Sequence, residues 1–156
     1  MKNNKTILFI VNSDWFFLSH RLPIAKKSLE KGYSVHLACE ISEKRKELEK
    51  YEIKLHDIKI KRSSTSLVSS IFLFLKILKL YKKIKPDLIH LVTIKPIIIG
   101  GLAAYLIKKS TKLVMSITGL GYIFIDKGIK AYIRKKIIIF FYKLVFNHNY
   151  LKIIFQ

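Results

Sequence analysis

The chain has 156 residues, the size of one domain, and 51% of them are hydrophobic, which excludes a disordered tail and provides for a buried core. Its 30 Lys and Arg outnumber 10 Asp and Glu, for a formal charge of +20. A field of that sign fits a polyanionic partner such as nucleic acid, an anionic membrane or a phosphorylated substrate, although a lysine-rich composition alone gives the same balance. The apolar run Thr6–Val11 predicts a first strand, because it lacks the length and the small-residue cleavage site of a leader peptide. A helix follows over Ser19–Lys31, with Ser19 as its cap and Gly32 at its end. Next come a strand over Ser34–Cys39, a charged helix over Glu43–Lys50, a strand over Ile53–Ile58 and a polar loop over Lys61–Ser66. The lone Cys39 excludes an internal disulfide and fits a reducing compartment.

Leu67–Lys85 predicts a long helix with Lys76, Lys79 and Lys83 on one face and apolar residues elsewhere. Those apolar residues call for burial against a sheet or a membrane. Lysines interrupt the run before it reaches the ~20 uncharged apolar residues of a spanning helix, and Pro86 stops it. A strand over Leu88–Val92, a helix over Ile97–Lys109 entered through Pro96, and a strand over Lys112–Ile117 come next. A glycine-bearing turn over Thr118–Gly121, a helix over Ile129–Phe146 and a strand over Tyr150–Phe155 complete the series. Strands alternating with helices predict an α/β domain: a Rossmann-like parallel sheet of about six strands with helices on both faces. Ligands of such sheets bind at the carboxyl ends of the strands, here the segments from Asn12, Glu40, Thr93 and Thr118 onward.

Three of those segments carry chemistry. Asn12–Pro23 lacks the glycine-rich phosphate fingerprint expected after the first strand of a dinucleotide-binding protein, which argues against an NAD or FAD enzyme. It offers instead Trp15, Phe16 and Phe17 for stacking on a sugar ring or lipid chain, and His20 and Arg21 for a phosphate. The same aromatics would serve equally to pack under the sheet. Thr93 and Lys95 follow the fourth strand, and Lys95 stands at a helix start, where backbone N–H groups favour anions. His90, inside that strand, reads as a packed core residue. Gly119 and Gly121 in the third segment allow backbone to approach a ligand, and a plain tight turn has the same pattern.

Together these stretches resemble the N-terminal domain of family 4 glycosyltransferases, retaining enzymes of the GT-B type, and in particular those that build capsule, exopolysaccharide and O-antigen repeat units. The resemblance lies in SDWFFLSHRLPIA, GYSVHLAC, KPDLIHLVTIKPIIIGGLAA, SITGLGYIF and the terminal IIFQ, which run in family order over nearly the whole chain. It implies that residues 1–156 are the acceptor-side domain of a two-domain enzyme. The donor-binding domain, with its pair of Glu residues eight apart, is absent, and no two Glu residues here have that spacing.

The implied reaction moves a hexosyl or N-acetylhexosaminyl unit from a nucleotide-sugar to a lipid-linked or saccharide acceptor, with no other cofactor and no metal. The implied partners are the nucleotide-sugar, held by a missing or separate C-terminal domain, a polyprenyl-diphosphate-sugar and an anionic membrane at the inner face of the plasma membrane. Asp14, Trp15, Arg21, Thr93, Lys95, Thr118, Gly119 and Gly121 correspond to substrate-binding positions, with Pro96 beside them, and His20 to the candidate catalytic base. Two other readings stay open: a non-catalytic subunit or gene remnant, and a basic nucleic-acid-binding protein. The second fits poorly with a sheet covered by helices.

Overall fold

The computed structural model describes residues 5–60, 66–107, 110–118 and 128–155. Six strands form one parallel sheet: β1 (Thr6–Ser13), β2 (Ser34–Glu40), β3 (Ile53–Asp57), β4 (Leu88–Val92), β5 (Lys112–Ile117) and β6 (Leu151–Phe155). Their order is β3-β2-β1-β4-β5-β6, and every neighbouring pair is parallel. The chain thus runs outward from β1 in one direction and then in the other, so that β1, β4 and β5 are consecutive neighbours. The reversal beside β1 is the switch point at which sheets of this type open a crevice.

The central strands are apolar on both faces, as a doubly covered sheet requires. Ile7, Phe9 and Val11 pack with Phe17, Ala25 and Leu37 on the side of α1 (Asp14–His20), α2 (Leu22–Glu30) and α3 (Arg45–Leu48). Leu8, Ile10, Ile89 and Leu91 pack with Ile77, Ile97 and Val145 on the side of α4 (Leu67–Ile84), α5 (Ile94–Ala104) and α6 (Ile129–Phe146). Helix α5 is sunk between its neighbours. Tyr81 Oη donates to Gly100 O at 3.1 Å from the α4 side, and a Cβ on Gly101 would overlap the Val145 side chain on the α6 side.

The structure corrects four boundaries. The Asn12–Pro23 segment is helix rather than loop: α1 begins at Asp14, and Ser19 lies inside it without capping anything. The helix breaks at Arg21 (φ −125°) because Pro23 has no N–H to give to the carbonyl of Ser19. Pro23 instead occupies the first turn of α2, where no such bond is needed. Helix α3 keeps only four of the eight residues expected over Glu43–Lys50. Helix α5 starts three residues before Ile97, with Pro96 in its first turn, and ends at Ala104. The expected burial of the long helices is only half met: Leu67, Ile71 and Phe72 on α4 and Ile133, Ile137 and Phe140 on α6 face outward. The polar loop Lys61–Ser66 and the turn Thr118–Gly121 fall largely outside the described residues.

Candidate functional site

At the carboxyl end of β4 the backbone does something unusual. Thr93 adopts φ 73°, ψ 164°, a region open to glycine and strained for a β-branched residue. Its N–H donates to Ser116 O of β5 at 3.2 Å, so the strained residue is fastened to the neighbouring strand. Its side chain is 95% buried, yet Oγ1 finds no hydrogen-bond partner among the described residues. Next door, β1 pairs Ile10 with Leu91 of β4, and Asn12 lies two residues further on, where the register of β1 against β2 shifts. Asn12 Oδ1 is likewise buried and without a partner among the described residues. Two unmet acceptors at the ends of adjacent central strands cost free energy unless something else bonds to them.

Beneath this point lies a polar cluster on the α1 side of the sheet. His90 Nε2 and Ser116 Oγ are 2.8 Å apart and both residues are buried, while the Phe9 ring lies tilted against the imidazole at 5.2 Å between centroids. Burial, reinforced by the Arg21 guanidinium, pushes the His90 pKa down to about 4, so the ring is neutral near pH 7. Arg21 itself is only 2% exposed and donates from Nη1 to His20 O at 3.1 Å, with burial lowering its pKa. The break between α1 and α2 is what turns this side chain inward. His90 is therefore core, as its place in the strand suggested, but a polar core residue adjoining the crevice.

The remaining site residues separate into two kinds. Asp14 has no exposed surface: it accepts from Ser42 N at 2.6 Å, from Ser42 Oγ at 3.1 Å, from Lys44 N at 3.3 Å and from Trp15 N at 2.7 Å. Burial alone would raise its pKa, and these bonds outweigh that and hold it below the ordinary value. Asp14 thus ties the end of β1 to the segment after β2. On the open side, Trp15 is half exposed and meets Phe16 edge to face at 5.6 Å. The Phe16 ring stacks flat on His20 at 4.2 Å, and Ser19 Oγ reaches His20 Nδ1 at 2.5 Å. Lys95, half-buried in the first turn of α5, has its pKa lowered by burial. Thr118 is half-buried just past β5; Gly119 and Gly121 lie outside the described residues. Asn12, Ser42 and the His90–Ser116 pair were not singled out as site residues by sequence, and nothing in their spacing marks them.

A cavity of about 410 Å³ sits at the opposite pole, among Tyr81, Lys85, Pro86, Asp87 and Thr111. It adjoins the amino ends of the strands, and two of its polar side chains serve the fold: Asp87 accepts from Thr6 N at 2.8 Å and Thr111 donates to Pro86 O at 3.2 Å. Two unmet polar groups, Asn12 Oδ1 and Thr93 Oγ1, are at the crevice end instead, while Tyr142 Oη is unmet within α6 among the described residues. No group of three or more His, Cys, Asp or Glu able to hold a metal ion occurs among the described residues.

No curated protein matches the chain. Among solved structures, MurG of Acinetobacter baumannii superposes with a TM-score of 0.58 at 18% identity, over 72% of this chain and 34% of that one. A glycosyltransferase from Rickettsia africae ESF-5 superposes with a TM-score of 0.55 at 20% identity, over 73% of this chain and 30% of that one. The chain spans about a third of the length of each. Its sheet is that of the N-terminal half of a GT-B fold. The family model described as glycosyl transferase 4-like matches residues 6–156, and the chain belongs to that family.

Proposed function

We propose that the chain is the acceptor-binding half of an enzyme that moves a sugar from a nucleotide-sugar to a lipid-linked or saccharide acceptor in bacterial surface polysaccharide synthesis. The observation that supports this most is the pair of unmet acceptors, Asn12 Oδ1 and Thr93 Oγ1, beside the start of α5 and Lys95. Hydroxyls of a sugar would donate to those two oxygens. A diphosphate on the same acceptor would meet the half-buried Lys95 and the N–H groups of the first turn of α5, with the charge of Arg21 acting from below. Trp15 offers its exposed ring as a wall for the sugar. Gly119 and Gly121, which follow β5 in sequence, would bring backbone to the same ligand.

In the transfer itself, the anomeric carbon leaves the donor phosphate and bonds to an acceptor oxygen, whose proton passes to a base. The leaving phosphate can take that proton, and His20, exposed and stacked on Phe16, is the candidate on this chain. The nucleotide-sugar would be held by a second domain, and the diphosphate-linked lipid would keep the protein at the inner face of the plasma membrane.

The test uses a short-chain prenyl-diphosphate-sugar and titration calorimetry. The chain should bind this acceptor analogue, and Lys95→Ala should weaken binding roughly tenfold, the loss of one charge-assisted contact. Nucleotide-sugars should give no heat, and the chain alone should transfer no sugar. Acceptor binding unchanged in Lys95→Ala, or turnover by the chain alone, would overturn the assignment.

A further inference from the structure

The cavity of about 410 Å³ at the amino ends of the strands takes no part in the proposed acceptor site, and its lining has a chemistry of its own. Part of that lining is apolar: the Tyr81 ring, Pro86, Ile107 and Leu106, the last of them 57% exposed. The rest carries the exposed ammonium groups of Lys82 and Lys85 and the exposed hydroxyl of Ser110. Neither lysine forms an ion pair among the described residues. The carboxylate in the lining, Asp87, already accepts the Thr6 amide at 2.8 Å. Two cations therefore stand against one anion that is given over to the fold.

Lys85 is the telling residue. Lys85 and Thr93 are the two non-glycine residues with positive φ among the described residues. Lys85, at φ 51° and ψ 57°, closes α4 by donating its N–H to Tyr81 O at 2.8 Å. A left-handed residue at a helix end is ordinarily glycine, because a Cβ is crowded there. Lys85 also precedes Pro86, and a proline pushes the residue before it toward extended backbone. Lysines in the last turn of a helix answer its dipole, which accounts for Lys82 and Lys83. That purpose does not call for a lysine at the strained position, where glycine would make the turn more easily. Strain of this kind gathers at ligand clamps, and here it holds a cation in the wall of a cavity.

We propose that this cavity binds a small organic anion. Its apolar ring or short chain would rest on Tyr81, Pro86, Leu106 and Ile107, its anionic head would meet Lys82 and Lys85, and Ser110 Oγ would donate to that head. A bare inorganic anion would leave the apolar lining in water, and a neutral hydrocarbon would leave both ammonium groups unanswered. The volume is near the lower end of the roughly 300–1,000 Å³ of small-molecule sites, which suits one or two rings and excludes a polymer. The cavity and the crevice lie at opposite ends of the strands, so this site and the acceptor site can each fail without the other.

The probe is naphthyl phosphate, followed by its fluorescence and by the amide resonances of the isotope-labelled chain. It should bind with a Kd on the order of 0.1–1 mM. The amides of Lys85, Ser110 and Thr111 should move, while those of Thr93 and Lys95 stay in place. Inorganic phosphate and naphthol should each bind at least about tenfold more weakly. Lys85→Gly separates binding from folding. Glycine relieves the backbone, so the melting temperature should hold or rise by up to roughly 4 °C, while affinity falls at least about threefold. Adding Lys82→Gln should bring the loss to about tenfold or more. Resonance shifts confined to the crevice or scattered over the helix faces, unchanged affinity in the double variant, or naphthol binding as well as its phosphate would each overturn the proposal.

Discussion

At Thr93 a positive φ, near-complete burial and an unpartnered hydroxyl coincide on one residue. The backbone conformation alone costs on the order of 1–3 kcal/mol for a residue with a Cβ. Glycine adopts it freely but loses more chain entropy on folding, by roughly 0.5–1 kcal/mol. Thr93→Gly should therefore hold or raise stability, by up to about 2 kcal/mol in urea unfolding, while weakening acceptor binding. A clear loss of stability would mean that the hydroxyl is a structural anchor and that the strain has no functional meaning. The place of Thr93 after the fourth strand was legible in the sequence, but its strained backbone was not, because threonine is a common strand residue and its φ is set by the β4–α5 junction. Asp14 shows the opposite mismatch. Its position after the first strand was legible, but its role depends on Ser42, 28 residues on, and only the packed fold brings them together.

Elements were legible wherever a hydrophobic run has hard ends. Strand β4 lies between Pro86 and the Thr93 turn, and both it and α6 occupy the residues their patterns predict. Helix α1 was missed because it is only seven residues long, although Ser13 stands at its N-cap and Asp14 in its first turn. It is held by the burial of Phe17 against Phe9, their rings 5.6 Å apart. Packing also explains why α5 can lie so low. Alanine at Gly101 would gain about 1 kcal/mol of helix propensity and lose more by pressing on Val145, overpacking that costs about 1–3 kcal/mol. Gly101→Ala should lower the melting temperature, and adding Val145→Ala should recover part of that loss. Additive effects of the two changes would show that they do not share the contact.

For the molecule as a whole, three histidines set a common response to acid. His36 and His90 have their pKa lowered to about 4, and that of His56 is lowered as well, in each case first by burial. His36 Nδ1 and His56 Nε2 are 2.9 Å apart across β2 and β3, with the rings stacked. In the unfolded chain these rings take up protons as pH falls through the ordinary value of 6.5; in the folded chain His36 and His90 do not until about 4, and His56 also protonates only below its ordinary value. Stability is therefore full above pH 6.5 and falls between 6.5 and 4. Unfolding free energies from urea at pH 7 and pH 5 should differ by about 1–2 kcal/mol in favour of pH 7, and His90→Gln should flatten the difference. A midpoint independent of pH over that span would show that the rings are solvated in the native state.

The strand order has a kinetic meaning as well. The Thr6 amide is bound to the Asp87 carboxylate 81 residues later, and β4 cannot reach β1 before that part of the chain exists. At roughly 5–20 residues per second on a ribosome, β1 waits several seconds with one apolar edge open. During that interval β1, β2 and β3 form a half-sheet covered by α1, α2 and α3 on one side and by α4 alone on the other. The edge that later joins the two halves at the crevice is then the strand most exposed to mispairing, and holding it soluble falls to chaperones.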